Sequence, residues 1–485
     1  MKISTKLLLL FTFICLSFSG SGAVELSLYD ALKIGVENSS RGAIISGDLE
    51  VAKQQYHAEK INFYLPEISI EGNVPVYNVT ESFGNVYGQN DQVFFRRTNL
   101  NYNANLSLNQ SLITGGEFLV KGQLVNNKTE RPQTTFDGGL EDVTQKDRQG
   151  VFDFSLTQPL LKPSEPKNRL HNKEDDLEIA RISKVDETTK LKDEIIEAYF
   201  GKLVADLKVE IAESKVESGQ LKKNIDSLKL VDEVLSEEQY LETSSAYLDA
   251  ELESFDAVNE YKTKTRELAI LLDFEATDEI TASTPVVSDH ISDQQKERFI
   301  NGWENSNAIK KANLEYRKAE RSANYAAGGH GLTGMLTANY TVGRGKYEDN
   351  YRDEDNNTDS WGLQVNFSLP LWDGGSKGAE LKAARLSAQK SEMELERAKK
   401  TQKAEIINLI NQLDICYRKI DVLNKQIELA KNKLDIADYR YNDGQISRVE
   451  YLESKVSYLE AKNKYLDELK EYFKNRVQLE GHYSL

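Results

Sequence analysis

Residues able to do chemistry are plentiful in this chain, but few are spaced to do it. The five histidines, His57, His171, His290, His330 and His482, are scattered. None stands in a His-Glu-x-x-His frame, which would put two imidazoles on one helix face around a zinc ion. There is no phosphate-cradling glycine loop, no dinucleotide-binding glycine pattern and no Gly-x-Ser-x-Gly nucleophile turn. Paired carboxylates occur throughout, as they do on any heavily charged helix, and say nothing about acid–base catalysis. Residues Gly345 to Ser360 gather Glu348, Asp349, Asp353, Glu354, Asp355 and Asp359. That density could hold a divalent cation, but it lacks the alternating frame of a calcium loop and reads as a solvated surface loop. His330, inside Gly328-Gly329-His330-Gly331, marks a helix-to-strand junction. No catalytic residue, metal site or cofactor is expected, and the chain reads as a non-enzyme.

The polar residues that do fall into a pattern are helix caps. Ser447-Arg448-Val449-Glu450 and Ser236-Glu237-Glu238-Gln239 each fit a capping box. In it the Ser hydroxyl accepts from the third helical amide, and the Glu or Gln there reaches back to the Ser backbone. Gly444 stands where a preceding helix would end in a positive-φ residue. Glu233 stands at the matching place before Ser236, so that turn is expected to be built differently.

Such caps imply long helices on either side. Ile406, Ile410, Leu413, Tyr417 and Ile420 form a stripe at spacings of three and four, continued by Ile427, Ala430, Leu434, Ala437 and Tyr441. Pro and Gly are absent from Ala379 to Asp443. An unbroken helix of that length would span roughly 100 Å, more than a globular domain uses. A similar helix is expected from about Asn168 to Val234.

Other segments alternate with the period of two of a strand. Leu100, Tyr102, Ala104, Leu106 and Leu108 are separated by Asn and Ser. Phe152, Phe154 and Leu156, then Leu336, Ala338, Tyr340 and Val342, then Trp361, Leu363, Val365, Phe367 and Leu369 repeat the pattern. Ile68, Ile70, Val74 and Val76 are expected on one face of a further strand. Segments of about ten residues with one apolar and one polar face fit a transmembrane β-barrel, and a half-buried soluble sheet has the same period. Thr80–Thr98, Asn127–Gly150 and Gly345–Ser360 read as long polar loops.

The chain has 485 residues, 29% of them charged, with a net charge of −17 that disfavours nucleic acid. It begins as an export signal: Lys2 and Lys6, an apolar run from Leu7 to Phe18, and small residues Ser21-Gly22-Ala23 before an expected cut. Cys416 is then the only mature cysteine, so no intrachain disulfide can form. The rest contains a duplication. At an offset of 211 residues, Pro159-Leu160 recurs as Pro370-Leu371, Glu194-Ile195-Ile196 as Glu405-Ile406-Ile407, and Tyr240-Leu241-Glu242 as Tyr451-Leu452-Glu453. The expected organisation is a signal peptide over 1–23, a first repeat over 24–285 and a second over 286–485.

The combination resembles the TolC-like outer-membrane efflux proteins. The resemblance rests on Phe367-Ser368-Leu369-Pro370-Leu371-Trp372-Asp373-Gly374-Gly375, on Arg440-Tyr441-Asn442-Asp443-Gly444 with Ser447 and Glu450-Tyr451-Leu452-Glu453, on Leu28-Tyr29-Asp30-Ala31-Leu32 and on Tyr64-Leu65-Pro66. It covers essentially all of the mature chain. It implies a mainly α fold with a β-barrel part: long antiparallel helical hairpins, forming an α-helical barrel, joined to a transmembrane β-barrel shared by a homotrimer. It also implies localisation to the outer membrane with the helical part in the periplasm, contact with outer-membrane lipid, and a periplasmic adaptor and an inner-membrane pump of RND or ABC type as partners. The function implied is the passive exit duct of a tripartite efflux or type I secretion system. An exported coiled-coil spacer without a pore is the alternative.

By the same resemblance, Glu450 and Glu453 narrow the periplasmic entrance as rings of like charge, and Tyr441 helps hold it closed. Gln239 and Glu242 take the corresponding places in the first repeat. The family's four strands per protomer are exceeded here by an extra candidate hairpin after Gly115-Gly116-Glu117-Phe118-Leu119-Val120. That hairpin either joins the barrel wall or lies outside it.

Overall fold

The computed structural model describes residues 24–85, 92–134, 140–275, 280–287, 291–369 and 371–483. The expected export signal, Pro370 and His290 lie outside the described residues. In chain order the elements are β1 (Val24–Leu26), α1 (Leu28–Glu37), α2 (Ser40–Tyr64), β2 (Glu67–Asn85), β3 (Gln92–Ser111), β4 (Glu117–Thr134), β5 (Leu140–Pro159), α3 (Glu165–Val231) and α4 (Glu237–Leu271). There follow β6 (Ile280–Ala282), α5 (Asp293–Asn301), α6 (Asn307–His330), β7 (Thr333–Glu348), β8 (Asp353–Ser368), α7 (Ser376–Asn442) and α8 (Arg448–Gly481). Helix α3 and helix α7 each run for 67 residues. Their first and last residues stand 211 positions apart, as do the first residues of α4 and α8.

Contacts divide the chain into two compact units, each assembled from pieces of both halves of the sequence. Of the described residues, the first holds those within 24–48, 182–308 and 400–483. Its core joins Leu191, Ile195, Tyr199 and Phe200 of α3 and Leu268 of α4 to Ile406, Ile410 and Leu413 of α7 and Leu469, Tyr472 and Leu479 of α8. The apolar stripe read from α7 is thus the buried one. β1 and β6 form a short parallel pair over this core. The buried Tyr199 hydroxyl lies 2.6 Å from the Ser283 carbonyl and 2.9 Å from that of Leu26, so it ties both strands to α3.

The second unit holds residues 49–181 and 309–399. It contains one open antiparallel sheet of six strands, in the order β2-β3-β4-β5-β7-β8. The three long polar loops expected from the sequence are mostly strand. β2 and β3 stay paired as far as Asn85↔Gln92, β4 and β5 as far as Thr134↔Leu140, and β7 and β8 as far as Glu348↔Asp353. Charge does not end a ladder when opposite charges face one another across it. Arg96 meets Glu81 at 3.8 Å, Arg344 meets Asp359 at 2.9 Å, and Lys346 meets Asp353 at 2.8 Å. The acidic run thus closes as a tight turn in which Asp349 accepts from the amides of Tyr351 and Arg352, at 2.8 and 2.7 Å.

The face assigned to β2 also needs correction. Its register shifts between Asn73 and Val76, so Val74-Pro75 forms a bulge. A bulge adds one residue and exchanges the faces beyond it. Ile68 and Ile70 pair with Leu108 and Leu106, but it is Tyr77 that pairs with Leu100, while Val76 falls opposite Asn101.

Candidate functional site

Two regions carry the features singled out in the sequence: the turns between the long helices, and the sheet.

The two turns share one hydrogen-bond pattern. After α7, Gly444 N–H bonds to Tyr441 O at 3.0 Å, and Gln445 N–H to Arg440 O at 2.8 Å. After α3, Glu233 N–H bonds to Leu230 O at 3.1 Å, and Val234 N–H to Lys229 O at 2.9 Å. These bonds satisfy the last helical carbonyls and require a left-handed residue between them. Gly444 has φ +72°, and Glu233 adopts φ +58°. The expectation of a differently built first turn is therefore wrong. Backbone hydrogen bonding and the following cap hold Glu233 where glycine would sit more easily.

The caps differ more than the turns. At α4 both halves of the capping box are present, with Ser236 accepting from Gln239 N–H at 3.3 Å and Gln239 Oε1 accepting from Ser236 N–H at 3.2 Å. At α8 Ser447 accepts from Glu450 N–H at 3.2 Å, but the Glu450 carboxylate meets the Ser447 hydroxyl, at 3.3 Å. The second box is thus half-made. Glu450 also adds a negative charge to the first turn of α8, where the helix dipole favours it.

The other expected site residues fall as follows. Glu453 is exposed on α8 and pairs with Lys222 of α3 at 2.9 Å. Gln239 is committed to its cap, and Glu242 lies exposed on α4. Tyr441 stacks on Tyr451 with ring centroids 5.6 Å apart. Arg448 covers both rings, at 5.4 and 4.9 Å from their centroids, and its Nε donates to Glu217 of α3 at 2.9 Å. A planar guanidinium can stack and donate at once, which lysine cannot do. Glu217 and Lys222 were missed in the sequence because each has its partner on another helix, more than 200 residues away. Tyr451 was read only as part of a motif, although Tyr441 and Arg448 lie within ten residues of it. Arg448 was visible only as an interior residue of the cap.

These contacts belong to a longer seam between α3 and α8. Lys455 pairs with Glu210 at 2.9 Å, and Lys474 and Lys470 both reach Glu197, at 2.9 and 3.4 Å. The Lys474 ammonium holds the Glu197 carboxyl below the ordinary carboxylate range, against the opposing effect of partial burial. α3 pairs with α4 through Lys208–Glu260 at 2.8 Å and Lys215–Glu253 at 2.9 Å, and α7 with α8 through Lys419–Glu468 at 3.2 Å. The side-by-side order is thus α4-α3-α8-α7. The two outer helices carry apolar heptads that the sequence reading overlooked: Leu241, Leu248 and Phe255 on α4, and Ile415, Val422, Leu429 and Ile436 on α7. All seven are exposed.

The sheet is apolar where it is most exposed. Pairing aligns Ile68, Leu108, Val120, Phe154, Tyr340 and Trp361 in one row across all six strands. The neighbouring row on the opposite face is Ser69, Ser107, Lys121, Asp153, Thr341 and Ser360. Leu106, Leu124, Phe152 and Trp361 are exposed, while Asn103, Asn105 and Asn109 are half-buried. The Oδ1 atoms of Asn105, Asn109 and Asp147 are enclosed without a protein partner. A sheet with apolar residues facing out and amides facing in is the inverse of a soluble one, and suits lipid outside and water inside. Among the described residues, no helix is long and apolar enough to cross a membrane, and no group of three or more His, Cys, Asp or Glu is placed to hold a metal ion.

An open sheet of this polarity, with two helical hairpins of this length, is the fold of the TolC-like outer-membrane channels. A membrane protein from Pseudomonas aeruginosa is similar over 94% of this chain and 93% of its own, with 15% identity and a TM-score of 0.59. The CmeC outer membrane channel of Campylobacter jejuni is similar over 94% and 85%, with 12% identity and a TM-score of 0.61. The outer membrane protein VceC of Vibrio cholerae is similar over 93% and 94%, with 12% identity and a TM-score of 0.58. Residues 303–481 match the model of the outer membrane efflux protein family. The resemblance read from the sequence is thereby borne out, by sequence over that segment and by fold over the rest. The family is one of channels rather than enzymes. No curated protein matches the chain.

Proposed function

We propose that the protein is the outer-membrane exit duct of a tripartite efflux or type I secretion system. Substrates would pass through it passively, from an inner-membrane pump of RND or ABC type and a periplasmic adaptor to the exterior. The observation that carries this reading is the inverted polarity of the sheet, which a spacer without a pore has no use for.

Assembly as a homotrimer is supported by the outer helices. The exposed heptads on α4 and α7 differ from each other, so one copy's α4 can meet the next copy's α7. Such head-to-tail contacts close into a ring. The matched bounds of α3 and α7, and the shared turn pattern, support one plan used twice, over 24–285 and 286–485 after an export signal over 1–23.

The entrance is assigned to the turns. Glu450 and Glu453 would each form a ring of three carboxylates, with Lys222 partly neutralising the second. Gln239 and Glu242 line the same level from the other hairpin. Gly444, Ser447 and Ser236 fix the turns. Tyr441, under Arg448, holds α7 and α8 against α3, and adaptor contact would bias a two-state untwisting of the hairpins.

Single-channel recording of the mature protein in a planar bilayer tests this. Cation-selective steps blocked by divalent ions are expected, with the block lost in Glu450→Ala/Glu453→Ala. Folded trimers that stay silent even when Tyr441→Ala loosens the turns would refute the duct.

A further inference from the structure

We propose that each copy contributes all six strands to the shared barrel, and that the copies join where β8 of one pairs with β2 of the next. A three-copy barrel then has 18 strands, against the 12 that four strands per copy would give. This rests on the channel reading above.

The argument begins with the two edges. Among the described residues β2 pairs only with β3, and β8 only with β7. Each edge therefore offers a row of backbone donors and acceptors along a strand of 19 or 16 residues. Lipid cannot satisfy those groups, so the edges must pair or lie outside the membrane. The apolar row does not fade towards them: Ile68 on β2 is 64% exposed and Trp361 on β8 is 82% exposed. Both edges are therefore built for membrane depth.

The chain cannot close on itself, because six strands fall below the eight of the smallest membrane barrels. Nor is the additional hairpin folded aside. β3 pairs with β4 without interruption from Thr98↔Glu130 to Ser111↔Glu117, and β4 with β5 from Glu117↔Thr157 to Thr134↔Leu140. A short turn joins β3 to β4, with Gly115 at φ +91° and Leu112 N–H bonded to Gly116 O at 2.8 Å.

The second copy fits the seam in direction and charge. Six is even and every pairing in the sheet is antiparallel, so β8 of one copy meets β2 of the next antiparallel, with the turn ends level. At that end, on the same polar face as Arg97, β8 carries Glu354, for which the described residues supply no ion pair. Arg97, one strand in from β2 and opposite Thr80, has no ion pair there either. The Val74-Pro75 bulge divides the β2 edge and so limits the registers it accepts.

Barrel diameter grows roughly linearly with strand number, so 18 strands give a bore about 1.5 times that of 12. The test places Glu71→Cys on β2, on the polar face. It is combined in turn with Thr358→Cys, Ser360→Cys, Gly362→Cys, Gln364→Cys or Asn366→Cys on the same face of β8. In outer-membrane extracts, one register is expected to give reducible covalent dimers and trimers. Poly(ethylene glycol) exclusion from the outer side of the conducting protein should place the cutoff at a radius about 1.5 times that of a 12-stranded barrel. A conducting trimer with no β2–β8 crosslink in any register, or with a narrow cutoff, overturns the six-strand wall alone. A crosslink confined to the monomer overturns it as well. Protein that neither assembles nor conducts overturns the channel reading with it.

Discussion

Arg448 of α8 donates to Glu217 of α3 at 2.9 Å while its guanidinium lies over Tyr451, 4.9 Å from the ring centroid. One side chain thus fastens a turn of one hairpin to the shaft of the other. Both partners are partly exposed, so the ion pair is worth about 0.2–1 kcal/mol after solvent screening. Each ring contact adds about 0.5–1 kcal/mol. Arg448→Ala is expected to loosen the α3–α8 seam by about 1–3 kcal/mol, on the order of a 5–150-fold shift between docked and undocked hairpins. Channel open probability should rise accordingly. Arg448→Lys should restore the charge but not the stacking, and fall between the two.

The two turns predict opposite responses to exchange of their left-handed residues. An L residue there costs roughly 1–2 kcal/mol. Glu233→Gly should therefore stabilise its hairpin by up to about 1 kcal/mol, and Gly444→Ala should destabilise its own by a similar amount. Denaturation midpoints of the two variants, compared under the same detergent conditions, check both signs.

The rows of the sheet predict an asymmetry between its faces. Phe154→Lys puts a charge in the middle of the apolar row, where lipid contact would cost about 2–4 kcal/mol. Ser155→Lys, one residue on, points to the polar face and should leave folding largely intact. Urea unfolding in lipid vesicles reads the first, and a shift of ion selectivity towards anions reads the second. Equal tolerance of the two lysines would contradict lipid contact at the apolar face.

His482 predicts a pH response in the helical unit. Burial pushes its imidazole below the ordinary value, and the nearby Glu405 and Asp186 carboxylates oppose that shift without overcoming it. Its Nδ1 lies 3.0 Å from Gln402 Nε2, which fits a neutral ring accepting there. The folded value is depressed, so the stability it contributes is complete above the unfolded value of about 6.5. That contribution is lost as pH falls through the folded value. Thermal midpoints should decline below pH 6.5 in the wild type and decline less in His482→Gln.

The helices were the most legible part of the sequence, because a stripe such as Ile406, Ile410, Leu413 and Ile420 needs only local periodicity to be read. The strands were legible in phase but not in length. Alternation marks where one face is apolar, and it ends at Asp359, whereas backbone pairing runs on through Lys346 and Asp353. The Val74-Pro75 bulge was hidden because the apolar residues keep an even spacing across it, and only pairing with β3 reveals the change of face. At the turns, Gly444 and the serines were found from their own chemistry. Glu217 and Lys222 were not, since each looks like any other charged helix residue until its partner is known.

The equal length of α3 and α7 constrains how such a chain can change. One residue added to a single shaft would advance its turn by about 1.5 Å and rotate it by about 100°. Arg448 would then miss Glu217, and Lys222 would miss Glu453. Insertions and deletions in these shafts should therefore be tolerated only as matched changes in both halves, so that the two halves of the gene drift in sequence while remaining locked in phase.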